Sequence, residues 1–286
     1  MSVIEATTVP QRRWVPGRRR LGGITAAERV GMGLFAVLVV AAIMAPIIAS
    51  DPTAAVGQPF ASPSLQHLLG TDDIGEDLFA RVIFGLRTSL IAAAVVIAFG
   101  VTVGVAVGLI AGTIGGWVDA LLMRVTDLFL ALPGPILAIA IVAALGPSIE
   151  HTVIAIAIVW WPWYARLVRN EVCALVARPH VDAARLAGTA PLRIMRRHIL
   201  PGTLRPVVVA ASLDVQIVVL TLAGLSFLGL GSPPPAPELG AMAARGADYM
   251  LGNPLVPLAP GFAVFLVAFA ANLAGDGVSA LMNRRK

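Results

Sequence analysis

Six long apolar stretches, separated by shorter polar ones, run along the chain. They lie at residues 30–49, 88–118, 119–145, 147–165, 206–230 and 255–275. About 20 consecutive apolar residues in a helix cross the hydrocarbon core of a bilayer. The first stretch is longer than the apolar core of a cleaved signal peptide. The pattern therefore predicts an all-α, polytopic membrane protein with six transmembrane helices.

The polar segments indicate how the chain is organised. Residues 1–29 predict a basic N-terminal tail, residues 30–280 a six-helix membrane domain, and residues 281–286 a short C-terminal tail. Only 13% of the residues are charged and 58% are hydrophobic, whereas roughly a quarter are charged in soluble domains. No polar segment is long enough to bury a separate soluble core.

Basic residues are distributed unevenly between the predicted loops. If the N-terminus is cytoplasmic, the two tails and the segment 166–205 lie on one side and hold 17 of the 21 Lys and Arg residues. An excess of Lys and Arg marks cytoplasmic loops. The asymmetry predicts that both termini are cytoplasmic and that a cytoplasmic loop spans about 170–205.

The segment that follows the fourth apolar stretch combines small residues, arginines and prolines. Small residues between Asp182 and Gly188 form one helical surface that another protein can approach closely. Gly188 is predicted to stop this helix, since Gly adopts the left-handed cap conformation without steric cost. Pro191 suits the first turn of a second helix capped by Thr189, and Pro201 is expected to end the unit.

This segment resembles the cytoplasmic coupling loop of ABC importer permeases, whose pattern is E-A-A, three residues, G, nine residues, I-x-L-P. Asp182 stands in the place of the Glu and His198 in that of the Ile, and the ending H-I-L-P is similar to the peptide-importer branch. In that family the loop docks into a groove of the ATPase subunit. The ATPase-coupling residues that the resemblance implies are Asp182, Ala183, Ala184, Gly188, His198, Leu200 and Pro201.

Four further motifs extend the resemblance to nearly the whole chain after Arg29. The stretch from His67 to Asp77 is similar to the H-P-L-G-T-D-x-x-G-R-D signature of peptide-type permeases, with Leu68 in place of Pro and Glu76 in place of Arg. Its acidic residues do not have EF-hand spacing, so we predict a capped, structured loop. The other matches are D-x-x-x-M-R-x-x-D-x-x-x-x-x-P at 119–133, L-S-F-L-G-L-G at 225–231 and N-L-x-G-D-G at 272–277.

These resemblances imply a type I ABC importer permease of the dipeptide, oligopeptide and nickel branch, which forms half of a translocation pathway for short peptides. Such a subunit pairs with a homologous permease, two ATPase subunits or one fused pair, and an extracytoplasmic solute-binding protein. ATP and Mg²⁺ bind to the ATPase subunits in that family. The implied location is the bacterial or archaeal cytoplasmic membrane. We expect no nucleic-acid partner and no cofactor in this chain.

The residues themselves agree with a transport subunit that is not an enzyme. The only lysine is Lys286, so the chain lacks the G-x-x-x-x-G-K-[ST] loop that binds nucleotide phosphates. The single cysteine, Cys173, excludes an internal disulfide and a cysteine-cluster metal site. The four histidines are scattered. We therefore predict no catalytic residue and no metal site.

Polar residues within the apolar stretches are candidates for the interior of the protein. Arg124 and Asp127 lie three residues apart, and we predict that they form a structural ion pair on one helix face. The candidates for the translocation pathway are Asp214, Gln216, Thr221 and Asn272.

Glycine and proline add two expectations about packing. Glycine recurs every four residues from Gly100 to Gly116, which on a helix makes a bare groove where another helix can pack closely. Pro133 and Pro135 are expected to kink the third span.

Two alternatives remain open on the sequence. Nickel or another small solute is the alternative cargo, but a metal pathway favours imidazole or soft donors, and no histidine lies in the middle of a span. An ion-driven secondary transporter with Asp127, Asp214 and Asp276 as relay groups is the alternative mechanism. A secondary transporter does not need the coupling segment.

Overall fold

The computed structural model describes residues 24–283, which are mostly helical. The α-helices are α1 (Ala26–Ile48), α2 (Leu78–Ile114), α3 (Gly116–Leu130), α4 (Gly134–Leu145), α5 (Ile149–Val176), α6 (Pro179–Leu186), α7 (Pro191–Ile194), α8 (Leu200–Phe227), α9 (Leu239–Gly246) and α10 (Leu255–Asn283). A π-helical turn, Met195–Ile199, joins α7 to α8, and a 3₁₀ turn, Ala247–Tyr249, follows α9.

Four helical segments in the described part of the chain are long and apolar enough to span a membrane. They are α1, α2, the continuous run Pro191–Phe227 and α10. The pair α3 and α4 makes a fifth if it counts as one span. α5 is not among them, since its first half carries Glu150, His151 and several aromatic side chains and its second half is charged. Length and hydropathy thus give four or five candidate spans, where the sequence pattern predicts six.

The third predicted span is broken. α3 and α4 meet at 82° across residues 131–133. Pro133 is the N-cap residue of α4, and Pro135 lies in its first turn, where a missing N–H costs no helical hydrogen bond. The two prolines therefore stop one helix and start another, which is a larger change than the predicted kink.

The predicted glycine groove on α2 is confirmed, and α5 fills it. A Cβ on Gly108 would lie 2.6 Å from the carbonyl oxygen of Ala165, and one on Gly112 would lie 2.7 Å from Cγ1 of Val172. Gly104 faces Tyr164 at still closer range. Gly116 lies beyond the end of α2 and has no such contact. The backbones of α2 and α5 therefore approach closely, which places the polar residues of α5 at fixed positions.

The segment between α1 and α2 is a structured loop, as predicted. Asp77 caps α2 by accepting hydrogen bonds from the N–H groups of Phe79 and Ala80, and His67 contacts its other oxygen. Asp72 accepts hydrogen bonds from two backbone N–H groups of its own loop. The buried guanidinium of Arg81 contacts Asp72 and Glu76, and Arg245 reaches Asp72 from α9. The acidic residues therefore neutralise two arginines and hold α9 against the loop.

Candidate coupling segment and translocation cavity

The predicted cytoplasmic loop is shorter in the structure than the sequence indicates. α5 continues to Val176, and the helical run that leads into α8 begins at Pro191. Only residues 177–190, which include the short helix α6, connect these two long helical runs. Pro201 does not end the unit. The π-helical turn just before it directs the Leu200 N–H to the carbonyl of Met195, and the helix continues through Pro201. A π turn accommodates the missing N–H of proline without a break.

Gly188 stops α6 as predicted, through its backbone conformation. Its φ is +71°, in the left-handed region. The N–H of Thr189 bonds to the carbonyl of Ala184 at 3.1 Å, and the N–H of Gly188 bonds to that of Arg185 at 3.0 Å. These two bonds form a Schellman motif, for which glycine is the preferred residue. Ala190, not Thr189, is the N-cap residue of α7, and it makes no side-chain cap bond.

An apolar anchor holds α6 and the π turn against the long helices. Val181, Ile194 and Ile199 are buried in one cluster with side chains of α5 and α8, among them Val172 and Val207. Each buried aliphatic side chain of this kind contributes roughly 1.5–3 kcal/mol relative to an exposed one. The anchor makes the segment a stiff extension of α5 and α8.

The opposite side of the same segment is open. Leu186 is 90% exposed and Leu192 is 61% exposed, although both lie among polar residues. Ala183 and Asp182 are exposed beside them, and Asp182 forms an ion pair of 3.2 Å with Arg185 one turn on. A small-residue surface with two exposed leucines, held on an apolar anchor, is suited to docking into a groove of another protein.

The remaining predicted coupling residues lie at the edges of this surface. Ala184 and Leu200 are half-buried and pack against the apolar anchor, and Pro201 is exposed. His198 is half-buried, and its ring centroid lies 6.0 Å from that of His180. The predicted set therefore contains both surface residues and residues that hold the surface in place.

Two ion pairs join α3 to α5, and they correct one prediction. Asp127 pairs with Arg166 of α5, so the predicted pair between Arg124 and Asp127 does not form. Arg124 is exposed. Asp119 pairs with Arg169 of α5. The three-residue spacing allows a pair within α3, but the close approach of α5 supplies arginines that the spacing cannot reveal.

Of the four pathway candidates, Asp214 has the most defined environment. It is 7% exposed, and its Oδ2 accepts hydrogen bonds from Nε1 of Trp160 at 2.9 Å and from the hydroxyl of Tyr164 at 2.6 Å. Gln216, Thr221 and Asn272 are half-buried, and Thr221 bonds to the carbonyl of Ile217 in its own helix. The structure therefore does not bring the four together in one site.

A cavity of about 810 Å³ lies between α5 and α8, with Asp214 in its wall. Gln216, Thr221 and Asn272 are not among the residues that line it. The charged lining residues that sequence reasoning missed are Glu171, Arg178 and Arg205. Only Glu171 has a signal in the sequence, since it belongs to a row of α5 residues spaced by four, from Trp163 to Leu175. That row can be interpreted only once the facing helix is known.

Comparisons with known proteins show the family to which the chain belongs. Residues 104–286 match the family described as binding-protein-dependent transport system inner membrane component. A glutathione transport system permease protein of Shigella flexneri is 47% identical over 216 residues, which cover 76% of this chain and 71% of that protein. A dipeptide transport system permease protein of Alkalihalophilus pseudofirmus is 40% identical over 251 residues, covering 87% and 83%.

The fold has a match among solved structures. A chain from inward-facing conformations of the MetNI methionine ABC transporter superposes with a TM-score of 0.58 at 19% identity, covering 71% of this chain and 96% of that chain. The present chain belongs to the family of binding-protein-dependent transport system inner membrane components. It has the ABC importer permease fold and is a multi-pass inner-membrane protein. It is the permease subunit and is not itself catalytic. Membership of an ABC transporter complex implies ATPase partners. Membership of this family excludes the alternative of an ion-driven secondary transporter.

Proposed function

We propose that this chain forms half of the translocation pathway of an ATP-driven importer of short peptides. A homologous permease supplies the other half. Two ATPase subunits, or one fused pair, bind ATP and Mg²⁺ on the cytoplasmic side, and an extracytoplasmic binding protein delivers the solute. The observation that carries the proposal is the exposed surface of α6, which is fixed to α5 and α8 by its apolar anchor.

The proposed topology has six spans, with α5 as the fourth and the broken pair α3–α4 as the third. The close packing of α5 on the glycine groove of α2 supports this assignment, since α2 is one of the candidate spans. The domain limits proposed are 1–29, 30–280 and 281–286, with both tails cytoplasmic. Residues 1–23 and 284–286 lie outside the described part of the chain.

The proposed mechanism is alternating access driven from the coupling segment. Closure of the ATPases moves α6, and the apolar anchor transmits the displacement to α5 and α8. Arg166 and Arg169 pass it on to α3 through their ion pairs. Because α5 and α8 form the walls of the cavity, their movement changes its access from one side of the membrane to the other.

Peptide is favoured over nickel as the cargo. The relatives at 40–47% identity are named for dipeptide and glutathione transport, and both solutes carry a charged amino group and carboxylate. The described lining of the α5–α8 cavity contains carboxylate and guanidinium groups and neither histidine nor cysteine. Imidazole and thiolate are the side chains that bind nickel-type ions most readily.

The test is uptake by the complete complex in proteoliposomes, with its binding protein outside. Di- to tetrapeptides and nickel are compared with and without ATP inside. The proposal expects ATP-dependent peptide uptake. Nickel uptake without peptide uptake would show that the cargo is nickel and not peptide, and the permease assignment would stay unchanged.

A further inference from the structure

Asp214 is a buried carboxylate of which only one oxygen is used by the protein. Both hydrogen bonds, from Trp160 and Tyr164, go to Oδ2. Oδ1 has no hydrogen bond to any residue between 24 and 283, although Asp214 lines the α5–α8 cavity. A buried charge needs a compensating partner. The two donors fix the orientation of the carboxylate and leave its second oxygen available to a ligand in the cavity.

The cavity is an elongated groove with different charges at its two ends. Its wall on α8 runs from Pro201 to Ile217, which are 16 residues apart or about 24 Å along a helix. Asp214 lies near the Ile217 end. Arg205 lies toward the other end, close to the coupling segment, and Arg178 lies beyond it at the N-terminus of α6.

Neither arginine has a carboxylate partner within the described residues. Glu171 lines the same part of the groove, but it forms no ion pair with Arg178 or Arg205. The groove therefore presents the free oxygen of Asp214 at one end and, at the other end, two guanidinium groups that outnumber the single carboxylate of Glu171. This distribution is complementary to a zwitterion with a cationic group at one end and an anionic group at the other.

We propose that Oδ1 of Asp214 binds the free amino group of the transported peptide, with Arg205 facing its carboxylate. The proposal rests on the proposed function, because it takes the peptide as the solute. An ammonium group donates a charge-assisted hydrogen bond to Oδ1 and supplies the missing countercharge. Trp160 and Tyr164 act as positioning residues, since they touch Asp214 and not the peptide.

The distance between Asp214 and Arg205 guides the choice of probe. They are nine residues apart on α8, which is about 13.5 Å along the axis and about half a turn around it, and both line the groove. An extended peptide covers roughly 3.3–3.6 Å per residue. We use a tripeptide as the probe because it is long enough to extend along the groove from Asp214 toward Arg205.

The test measures peptide binding to the complete permease–ATPase complex without nucleotide. The binding protein is left out, so that its own selectivity does not enter the result. Radiolabelled trialanine is bound to the complex in nanodiscs and displaced by trialanine, N-acetyl-trialanine or trialanine amide. We expect N-acetyl-trialanine to compete at least about tenfold more weakly than trialanine, the loss expected for one charge-assisted hydrogen bond.

Variants separate the proposal from a purely structural role of Asp214. Asp214→Asn keeps an acceptor for Trp160 and Tyr164 and should retain the folded complex, but it should abolish the discrimination between trialanine and its acetylated form. Arg205→Gln should weaken trialanine binding and leave the binding of the amide unchanged. Ser212→Ala, two residues from Asp214 on α8 and outside the cavity lining, is the matched control and should behave as wild type.

The outcomes distinguish this inference from the proposed function. Equal competition by trialanine and N-acetyl-trialanine, unchanged discrimination in Asp214→Asn, or no saturable trialanine binding to wild type would overturn the inference. If the wild-type complex still takes up peptides in proteoliposomes, the proposed function stands without it. If the complex takes up no peptide, the proposed function fails, whatever the competition binding assay shows.

Discussion

Arg169 on α5 binds Asp119 near the start of α3 through two hydrogen bonds. Its Nε donates to Oδ1 at 3.0 Å and its Nη2 donates to Oδ2 at 2.6 Å. Two parallel bonds between a guanidinium and a carboxylate fix both distance and orientation. Because Arg169 lies ten residues before α6 on the helix that leads to it, the pair connects the coupling segment to the first half of the broken span.

Removing this pair should loosen α3 from α5. Arg169→Ala is expected to lower the melting temperature of the detergent-solubilised subunit by about 2–6 °C. Thermal unfolding measures the change. The double exchange Asp119→Arg with Arg169→Asp should recover part of the loss. Arg124→Gln on the same helix, where no ion pair forms, is the control and should change little. A loss as large for Arg124→Gln would contradict the assignment.

Gly188 should be intolerant of a β-branched side chain because of its positive φ. A Cβ there meets no atom within 4 Å, so steric clash with a neighbour is not the cause. Gly188→Val should strain the Schellman turn by about 1–2 kcal/mol and uncouple ATP hydrolysis from transport, while the subunit still reaches the membrane. Gly188→Asn should be milder, since asparagine enters the left-handed region more readily. Hydrolysis and uptake are measured on the same preparation. Equal coupling in the valine and asparagine variants would argue against this account.

Glu238, the N-cap residue of α9, should make the stability of the protein depend on pH. Burial raises the pKa of its carboxyl above the ordinary value, and Oε1 lacks a hydrogen-bond partner among the described residues. The folded protein then binds this proton more tightly than the unfolded chain. Stability is therefore highest below the ordinary pKa and falls as pH rises through the raised pKa.

Thermal unfolding of wild type and Glu238→Gln at about pH 5 and about pH 7.5 measures this dependence. The wild type should lose more stability than the glutamine variant as the pH rises, because the amide stays neutral. Parallel losses in the two proteins would show that the dependence arises elsewhere.

Cys173 provides a direct test of topology. It is exposed and lies on α5 just before the coupling connection, and the chain has no other cysteine. A membrane-impermeant thiol reagent should label it only after the membrane has been opened. Glu171→Cys in a Cys173→Ser background tests the same end of α5. Labelling of Cys173 in intact cells would reverse the proposed orientation.

The sequence was sufficient for features that depend on local backbone chemistry. Gly188 ends α6 because its left-handed conformation depends on that residue and its immediate neighbours. The structured loop before α2 was predicted as well, but the residue that caps the helix, Asp77, was not. The glycine groove on α2 was likewise visible as a spacing of four. Its occupant, α5, was not, since nothing in the repeat specifies which helix packs there.

Features that depend on two distant segments were missed. Arg124 has the right spacing for Asp127, but Arg166, 39 residues away, takes its place. The cavity formed by α5 and α8 was also missed, because the spacing of four on α5 does not show which helix faces it. The prediction that Pro201 ends the helical unit was wrong. The π turn before it lets the helix continue through a proline, a residue that usually marks a helix end.

Crosslinking between α6 and an ATPase subunit tests the central claim most directly. In a Cys173→Ser background, Ala183→Cys places one thiol on the exposed surface of α6, and Gln66→Cys places one in the exposed loop between α1 and α2. Each purified complex is treated with a photoactivatable maleimide and analysed for the crosslinked partner. The account predicts that the thiol at position 183 crosslinks to an ATPase subunit and the thiol at position 66 does not. No ATPase crosslink from position 183, or one from position 66, would contradict it.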